Sequence, residues 1–149
     1  MHVGFTGTRE GMTQKQKGAF YDTLNSLHWL HGNFEFHHGS CMGADAQAHY
    51  GYTFLIDKPT VYIHPPINTS FKANCHVPSV IGGIQYNFDP KDYLPRNRDI
   101  VDACGILIAT PKGEDSNIGG TGYTIRYAKK QGVPVITIYP DGRVEDDRS

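Results

Sequence analysis

Four short segments of this 149-residue chain combine glycine, hydroxyl, amide and guanidinium groups that could bind an anion. The first, residues 6–10, reads Thr-Gly-Thr-Arg-Glu and follows a short apolar run. Gly7 lets the backbone approach a ligand, Thr8 offers a hydroxyl, and Arg9 could hold a phosphate with two parallel hydrogen bonds. An ordinary strand-to-helix turn with a solvated arginine explains the same residues equally well.

The second segment, residues 38–45, reads His-Gly-Ser-Cys-Met-Gly-Ala-Asp. Gly39 and Gly43 permit close approach of the backbone to a ligand, and Ser40 lies between them. Asp45 could hydrogen-bond a ribose hydroxyl or a ring nitrogen, and it is the one weak candidate for a catalytic group. The same carboxylate could instead cap the helix that it opens.

The third segment, residues 117–124, reads Asn-Ile-Gly-Gly-Thr-Gly-Tyr-Thr and lies between an apolar strand and a helix. Backbone N–H groups at a helix N-terminus attract phosphate, and glycines leave them accessible. The candidate donors are Gly119, Gly120, Thr121 and Gly122.

The fourth segment, residues 94–100, places Arg96 and Arg98 on either side of Asn97. Two arginines at a helix N-terminus could complete an anion pocket. As an alternative, either arginine could pair with a nearby aspartate on the surface, which would contribute little to stability.

Strands and helices alternate along the chain, and this alternation brings the four segments to one edge of a sheet. The periodicity predicts strands at 3–6, 34–37, 60–63, 106–109 and 135–139, with helices at about 14–30, 45–52, 96–103 and 123–131. This order favours a single Rossmann-like α/β domain, with a mostly parallel sheet and helices on both faces. Ligands of such sheets bind outside the carboxyl ends of the strands, where the four segments lie.

Two regions are less regular. Residues 65–92 have no clear period, and within them 80–86 is the candidate for a further strand. The domain is predicted to span residues 1–140, followed by a flexible polar tail at 141–149.

Composition narrows the function classes. The net charge of -1 argues against general electrostatic binding to nucleic acid. Three cysteines without CxxC spacing are not a disulfide framework or a typical zinc site. Because the sequence shows no signal-peptide pattern and no apolar run of roughly 18 residues, we expect a soluble, cytoplasmic protein that does not associate with membranes.

Eight histidines raise the question of a metal site. His37 and His38 are adjacent on a predicted strand, so their side chains face opposite sides and do not chelate one ion together. We expect ordinary histidines, no metal and no resident cofactor.

Three motifs resemble the Rossmann-like domain of the DNA-processing protein A family. They are Gly-Thr-Arg at 7–9, Gly-Ala-Asp at 43–45 with Ala-His at 48–49, and Pro-Arg-Asn-Arg at 95–98. The turn at 119–124 and the Tyr-Ala pair at 127–128 are similar too, so the likeness covers about residues 3–139. The wider group is the SLOG superfamily, which includes the lonely-guy phosphoribohydrolases and molybdenum-cofactor carrier-like proteins.

The resemblance implies a pocket for a nucleotide, a nucleotide-derived ligand or the phosphates of single-stranded nucleic acid. Dimers are common in these families, which leaves a homodimer open. Lonely-guy enzymes carry a catalytic glutamate after their Gly-Gly-x-Gly-Thr turn, whereas no acid occurs here between Gly119 and Gln131. We therefore predict a nucleotide-binding module rather than an enzyme.

Two alternatives belong to other classes. One is a hydrolase that cleaves the N-glycosidic bond of a nucleoside phosphate, for which the carboxylates on the right loops are Glu10, Asp45, Glu114 and Asp115. The other, which the near-neutral charge disfavours, is a single-stranded DNA-binding protein that stacks bases on Tyr86, Phe88 or Tyr93.

Overall fold

A computed structural model describes residues 1–148 as one α/β domain built on a seven-stranded sheet. The strands are β1 (His2–Gly7), β2 (Glu35–His38), β3 (Thr60–Ile63), β4 (Ile84–Asn87), β5 (Ile106–Thr110), β6 (Val135–Ile138) and β7 (Val144–Asp146). The helices are α1 (Gln14–His31), α2 (Ala44–Leu55), α3 (Tyr93–Asp102) and α4 (Gly119–Lys130). None of these helices has both the length and the apolar content needed to cross a bilayer, within residues 1–148.

The sheet has the order β4-β3-β2-β1-β5-β6-β7, and every neighbouring pair is parallel except β6 with β7. The N-terminal strand β1 therefore lies at the centre, between β2 and β5. The predicted Rossmann-like fold, with a mostly parallel sheet, is confirmed.

Helices cover both faces of the sheet. Side chains of successive strand residues point to opposite sides, so each buried strand contributes apolar side chains to both faces. On one face, Phe5 and Ile108 pack with Phe20 of α1 and Tyr52 of α2 in the larger apolar core. On the other, Leu107 packs with α3 and α4 in a second core. All five residues of β5 are buried, as a central parallel strand requires.

Helix starts differ most from the predicted boundaries. α1 begins as predicted, with the Thr13–Gln16 capping box formed. α3 begins at Tyr93, three residues earlier than predicted, because Pro95 fits a first helical turn whose N–H groups need no partner. α4 begins at Gly119 rather than at 123, so the glycine-rich segment is the first turn of the helix and not a loop before it.

Two strands occur where the sequence pattern was weak. β4 overlaps the predicted strand at 80–86, with two short 3-10 turns at 69–71 and 79–81 preceding it. In the segment predicted as a flexible tail, residues 144–146 form β7, antiparallel to β6. A turn over residues 139–142, centred on Pro140 and Asp141, reverses the chain there: the Gly142 N–H donates to the Tyr139 carbonyl, and Gly142 has a φ of 89°.

Candidate functional site

A cleft of about 660 Å³ opens at the carboxyl ends of β1 and β5. Its walls come from the loops that follow these strands and from the first turns of α3 and α4. Nine of the fourteen residues predicted to bind the ligand line it: Gly7, Thr8, Arg9, Asp45, Arg96, Asn97, Gly119, Gly120 and Thr121. Gly39, Ser40, Gly43, Arg98 and Gly122 do not.

The first turn of α4 presents backbone donors to this cleft. The Gly122 N–H donates to the Ile118 carbonyl at 3.0 Å, so the N–H groups of the three residues before it precede the first intrahelical bond. Gly119 itself has a φ of 70°, a left-handed backbone conformation that favours glycine. Gly122 lies behind them, because a Cβ there would be 2.2 Å from the Asn117 carbonyl carbon. Its role is close packing.

Asn97 supplies a side-chain donor at the same place. The residue is only 8% exposed, and its Oδ1 accepts from Arg96 Nε at 2.7 Å. This bond fixes the amide orientation, so Nδ2 points away from Arg96. No hydrogen bond within residues 1–148 uses Nδ2, which lies 4.0 Å from the position that a Cβ of residue 120 would occupy. The amide thus faces the start of α4.

Arg96 lines the floor of the cleft, but most of its donors are already used. It is buried, and Nη1 donates to the carbonyls of Gly39 (2.7 Å) and His64 (3.1 Å). Nη2 lies 3.7 Å from Cys41 Sγ, and the guanidinium stacks over the Tyr93 ring at 5.3 Å. Arg96 therefore ties α3 to the loop after β2, a role that the sequence analysis did not foresee.

Arg98 does not belong to the cleft, which corrects its predicted place in the anion pocket. Its side chain is exposed, and Nη1 donates to the Tyr123 hydroxyl at 2.8 Å. Helical geometry explains the difference, since residues 96, 97 and 100 share the inward face of α3 while residue 98 points outward.

The loop after β2 is closed on itself. Asp45 Oδ2 accepts from the Cys41 N–H at 3.1 Å, and burial raises the pKa of the Asp45 carboxyl. Asp45 is not the helix cap, because Gly43 precedes α2 at that position with a φ of 86°. A Cβ on Gly43 would meet the Arg9 carbonyl oxygen at 2.2 Å, and one on Gly39 would meet Arg96 Nη1 at 2.1 Å.

Ser40 belongs to the same closed loop. It adopts a φ of 54°, its N–H donates to His38 Nδ1, and its hydroxyl donates to the Ala73 carbonyl. None of these groups is directed at the cleft, so Ser40 holds the loop in place, while Cys41 and Asp45 of the same segment line the cleft.

The loop after β1 contributes to the cleft mouth. Gly7 packs tightly, since a Cβ there would lie 2.4 Å from Thr110 Oγ1. The Thr8 hydroxyl donates to the Glu10 carboxylate, which lies 3.6 Å from Lys112 Nζ. Arg9 is exposed, with its guanidinium 4.0 Å from the Phe71 ring centroid. The mouth therefore carries charges of both signs.

Sequence reasoning missed part of the lining. Lys112 lies in the loop directly after β5, and its place after a buried parallel strand was the available signal. Leu94 and Ile118 form an apolar wall, and they are 45% and 63% exposed. The carboxylates considered for catalysis, on Glu10, Asp45, Glu114 and Asp115, all line the cleft.

His38, His49 and Cys75 form the one group within residues 1–148 whose spacing could suit a metal ion, with ligand atoms within 4.8 Å of one another. Its nitrogens already have partners. The Ser40 N–H donates to His38 Nδ1, so the His38 proton is on Nε2, which lies 2.9 Å from His49 Nδ1. His49 Nε2 then donates to the His76 carbonyl at 2.8 Å. Binding a metal through His38 Nε2 would leave Nδ1–H facing the Ser40 N–H, so these residues fit a neutral hydrogen-bonded chain better than a metal.

A second histidine chain lies on the opposite face of the sheet, as the alternation of His37 and His38 predicts. His37 Nδ1 lies 2.9 Å from His64 Nε2, and His37 Nε2 lies 2.8 Å from His2 Nδ1. His2 in turn contacts Glu35 at 2.8 Å. Burial lowers the pKa of His37 to about 3 and that of His64 to about 4, so this part of the chain is neutral near pH 7.

Known structures share this fold. The molybdenum cofactor binding protein from the phototrophic bacterium Rippkaea orientalis aligns with a TM-score of 0.63 and 21% identity, over 93% of this chain and 76% of that one. The structural-genomics target TM1055 aligns with a TM-score of 0.60 and 14% identity, over 90% of this chain and 71% of that one.

At these identities the likeness establishes the fold alone. It supports a Rossmann-like fold, and it does not show the DNA-processing protein A family. No protein-family model matches the chain, and no curated protein sequence matches it significantly.

Proposed function

We propose that the cleft binds an anionic small molecule, a nucleotide or a nucleotide-derived ligand, at the first turn of α4. The observation that carries this proposal is the convergence of two kinds of donor. Three backbone N–H groups at residues 119–121 precede the first helical bond, and the buried Asn97 amide faces the same turn. Aligned peptide dipoles add a partial positive charge there, which favours a phosphate or carboxylate.

The rest of the cleft supports a ligand with a flat apolar part. Tyr93, Leu94 and Ile118 line it near the donors, so a base or another heterocycle could contact them while its anionic group meets α4. Arg9 at the mouth offers a further positive charge, whereas the Lys112 ammonium lies 3.6 Å from the Glu10 carboxylate. The cofactor in the name of the Rippkaea orientalis protein makes that cofactor a further candidate ligand.

The closer relationship to the DNA-processing protein A family remains part of this proposal. Its support is the position of the shared motifs. Each of Gly-Thr-Arg, Gly-Ala-Asp and Pro-Arg-Asn-Arg contributes at least one residue to the cleft, and Arg98 is not among them. A homodimer is also part of the proposal, and it is argued on separate grounds below.

The test is a thermal-shift screen with nucleotides, cyclic nucleotides, adenosine-diphosphate-ribose derivatives and the molybdenum cofactor, since a ligand specific for the native state raises the melting temperature. Hits are then titrated calorimetrically. Asn97→Ala should weaken binding about tenfold, the scale of one hydrogen bond to a charged group. Arg98→Ala, on the same helix but outside the cleft, is the matched control and should change the affinity less than about twofold. Equal affinities of the wild type and Asn97→Ala for every hit would contradict the assignment.

A second candidate function is hydrolysis of an N-glycosidic bond, because four carboxylates line the cleft. Asp45 is the most enclosed of them, and a raised pKa is typical of a carboxyl that acts as a general acid. Its hydrogen bond from Cys41 and its place near Arg96 argue for a structural role instead.

Incubation with ribo- and deoxyribonucleoside monophosphates, following release of free base, separates the two functions. We expect no turnover. Turnover that disappears in Asp45→Asn would establish an enzyme.

Single-stranded DNA binding has less support. Of the three aromatic residues considered as stacking platforms, Tyr93 lines the cleft, while Tyr86 and Phe88 lie in and just after β4. With a net charge of -1, we expect weak binding. Tight binding at physiological salt that falls steeply as salt rises would reverse this expectation.

A further inference from the structure

The outer edge of β4 is an open sheet edge within the described part of the chain, since β4 pairs there with β3 alone. The Ile84 N–H donates to the Pro59 carbonyl at 2.9 Å, and the Phe88 N–H donates to the Ile63 carbonyl at 3.0 Å. Because backbone groups alternate in direction along a strand, the N–H and C=O groups of Gln85 and Asn87 point outward. Such groups can pair with another strand.

This edge carries apolar side chains and no charge. Val80 is 91% exposed, and Ile81, Ile84, Tyr86 and Phe88 are each 42–50% exposed. No charged residue occurs between positions 80 and 88. The opposite edge strand, β7, is Val-Glu-Asp, and its two carboxylates disfavour pairing with a second β7. An open apolar edge of this kind is typical of an interaction surface.

We propose that β4 pairs antiparallel with β4 of a second copy of this chain, with Tyr86 on the two-fold axis. In this register Gln85 of one copy lies opposite Asn87 of the other. These are the residues whose backbone groups point outward, so both pairs exchange N–H···O bonds. The register is self-complementary, as a two-fold interface requires, and it joins the two sheets into one.

Charges at the ends of the strand fit the same register. Antiparallel pairing about Tyr86 places Asp89 of one copy opposite Gly83 of the other. The neighbouring Gly82 lies against the Lys58 side chain, since a Cβ there would be 3.2 Å from Lys58 Cγ. Lys58 and Asp89 are both exposed, so each copy offers an ammonium and a carboxylate to its partner. This complementarity favours a second copy over an unrelated strand.

Aromatic stacking provides a rigid base for the contact. The Tyr86 ring stacks on Tyr62 at 4.8 Å, and Tyr62 stacks on His37 at 4.4 Å. Two Tyr86 residues on the axis form a pair without backbone hydrogen bonds, in which side chains approach most closely. The column of rings then continues across the interface.

Sedimentation equilibrium of the full chain, at 1–100 μM, tests the proposal. The wild type should be dimeric in the upper part of this range. Tyr86→Asp places two like charges on the axis and should raise the dissociation constant at least tenfold. Phe54→Asp is the matched control, because Phe54 is a 94% exposed aromatic residue on α2 that has no part in the proposed strand pairing, and this variant should remain dimeric. A monomeric wild type at 100 μM, or a dimer unaffected by Tyr86→Asp, would overturn the proposal.

Two measurements keep the result independent of folding. Lys58→Glu and Asp89→Lys should each weaken the dimer, and the double variant should restore it. Hydrogen exchange at the Gln85 and Asn87 amides should slow as the concentration rises, whereas the Ile84 amide, already bonded to Pro59, should change little. If the double variant is as weak as the single ones, or if the Gln85 and Asn87 amides exchange at the same rate at all concentrations, the proposed pairing is wrong.

Discussion

The loop after β2 and the first turn of α4 are both rich in glycine, but the space beside the glycines is filled in the first and open in the second. Both are rich in glycine and both follow a strand on the same edge of the sheet. In the loop after β2, Gly39 and Gly43 leave room for Arg96 and for the Arg9 carbonyl, so the space that glycine creates is filled by the protein itself. At Gly120 no such group intrudes, and the backbone amides remain open to the cleft.

The difference shows that glycine near a strand end has two uses. One allows another part of the protein to approach the backbone, and the other allows a ligand to do so. The polar neighbours distinguish the two uses. Asp45 accepts a hydrogen bond within the loop after β2, whereas Asn97 Nδ2, beside the first turn of α4, makes none within residues 1–148. The four predictions below test this distinction.

The largest effect should come from acid, because four buried histidines lie on β2, on α2 and directly after β3. Burial lowers the pKa of His37, His38, His49 and His64 below 6.5, so they bind protons in the unfolded state before they do so in the folded one. The free energy of unfolding should be at its full value above pH 6.5. Below pH 6.5, the free energy of unfolding should fall by up to about 1.4 kcal/mol per pH unit for each histidine. The raised pKa of Asp45 offsets part of this loss, since that carboxyl binds its proton more readily in the folded state.

Urea unfolding at pH 7.5, 6.5 and 5.5 measures this dependence. His64→Gln should reduce the slope by about one proton, because His64 no longer titrates. A slope that corresponds to one proton or fewer in the wild type would show that these histidines are not neutral in the folded state.

Arg96→Met should give the next largest loss, about 3–5 kcal/mol in the free energy of unfolding, because it removes a buried cation from near Asp45 and from two carbonyls. Arg98→Ala, two residues away and exposed, should change it by less than about 0.5 kcal/mol. Chemical denaturation of both variants checks the pair. Similar losses in both would mean that Arg96 does not anchor the closed loop.

Gly43→Ala should cost about 3 kcal/mol, since the Cβ meets the Arg9 carbonyl oxygen and the backbone conformation is strained for any other residue. Circular dichroism during thermal unfolding gives the size of the effect. A variant as stable as the wild type would show that the loop can open without cost.

Gly120→Ala should have the smallest effect on stability, a change within about 1 kcal/mol, because the nearest atom to its Cβ is 4.0 Å away and alanine favours the helix. The same thermal unfolding experiment compares it directly with Gly43→Ala. If the two variants lose the same stability, glycines that face protein atoms and glycines that face the cleft do not differ in the way proposed.

Much of the fold could be predicted from the sequence, because its signals are local. The capping box at Thr13 set the start of α1, and the apolar run at 106–109 identified the buried β5. β7 was missed because its three exposed residues lack an apolar pattern, although the Asp141-Gly142 pair is a recognised hairpin signal. The start of α4 was misplaced because glycine opposes helix formation locally, and only the packing of Gly122 on Asn117 reveals the turn.

For the candidate site, the sequence pattern indicates where the segments gather and says much less about which polar groups are free. Strand ends identify the edge of the sheet, so residues of all four segments reach the cleft. Whether a polar group is free depends on partners distant in sequence. Arg96 binds the Gly39 carbonyl 57 residues away, and no local pattern contains that information.

The central position of β1 has a consequence for how the protein is made. β1 leaves the ribosome before the other strands of the sheet, yet its register with β5 spans about a hundred residues, from Val3 to Ile106. Until β5 is synthesised, Val3 and Phe5 belong to a strand with one open side, which is a site for association with other nascent chains. The half-sheet of β1 to β4 can assemble earlier, but closing it against β5 requires a long-range contact, and such contacts slow folding. Expression at lower temperature, or with chaperones that shield exposed strands, should therefore increase the yield of folded protein.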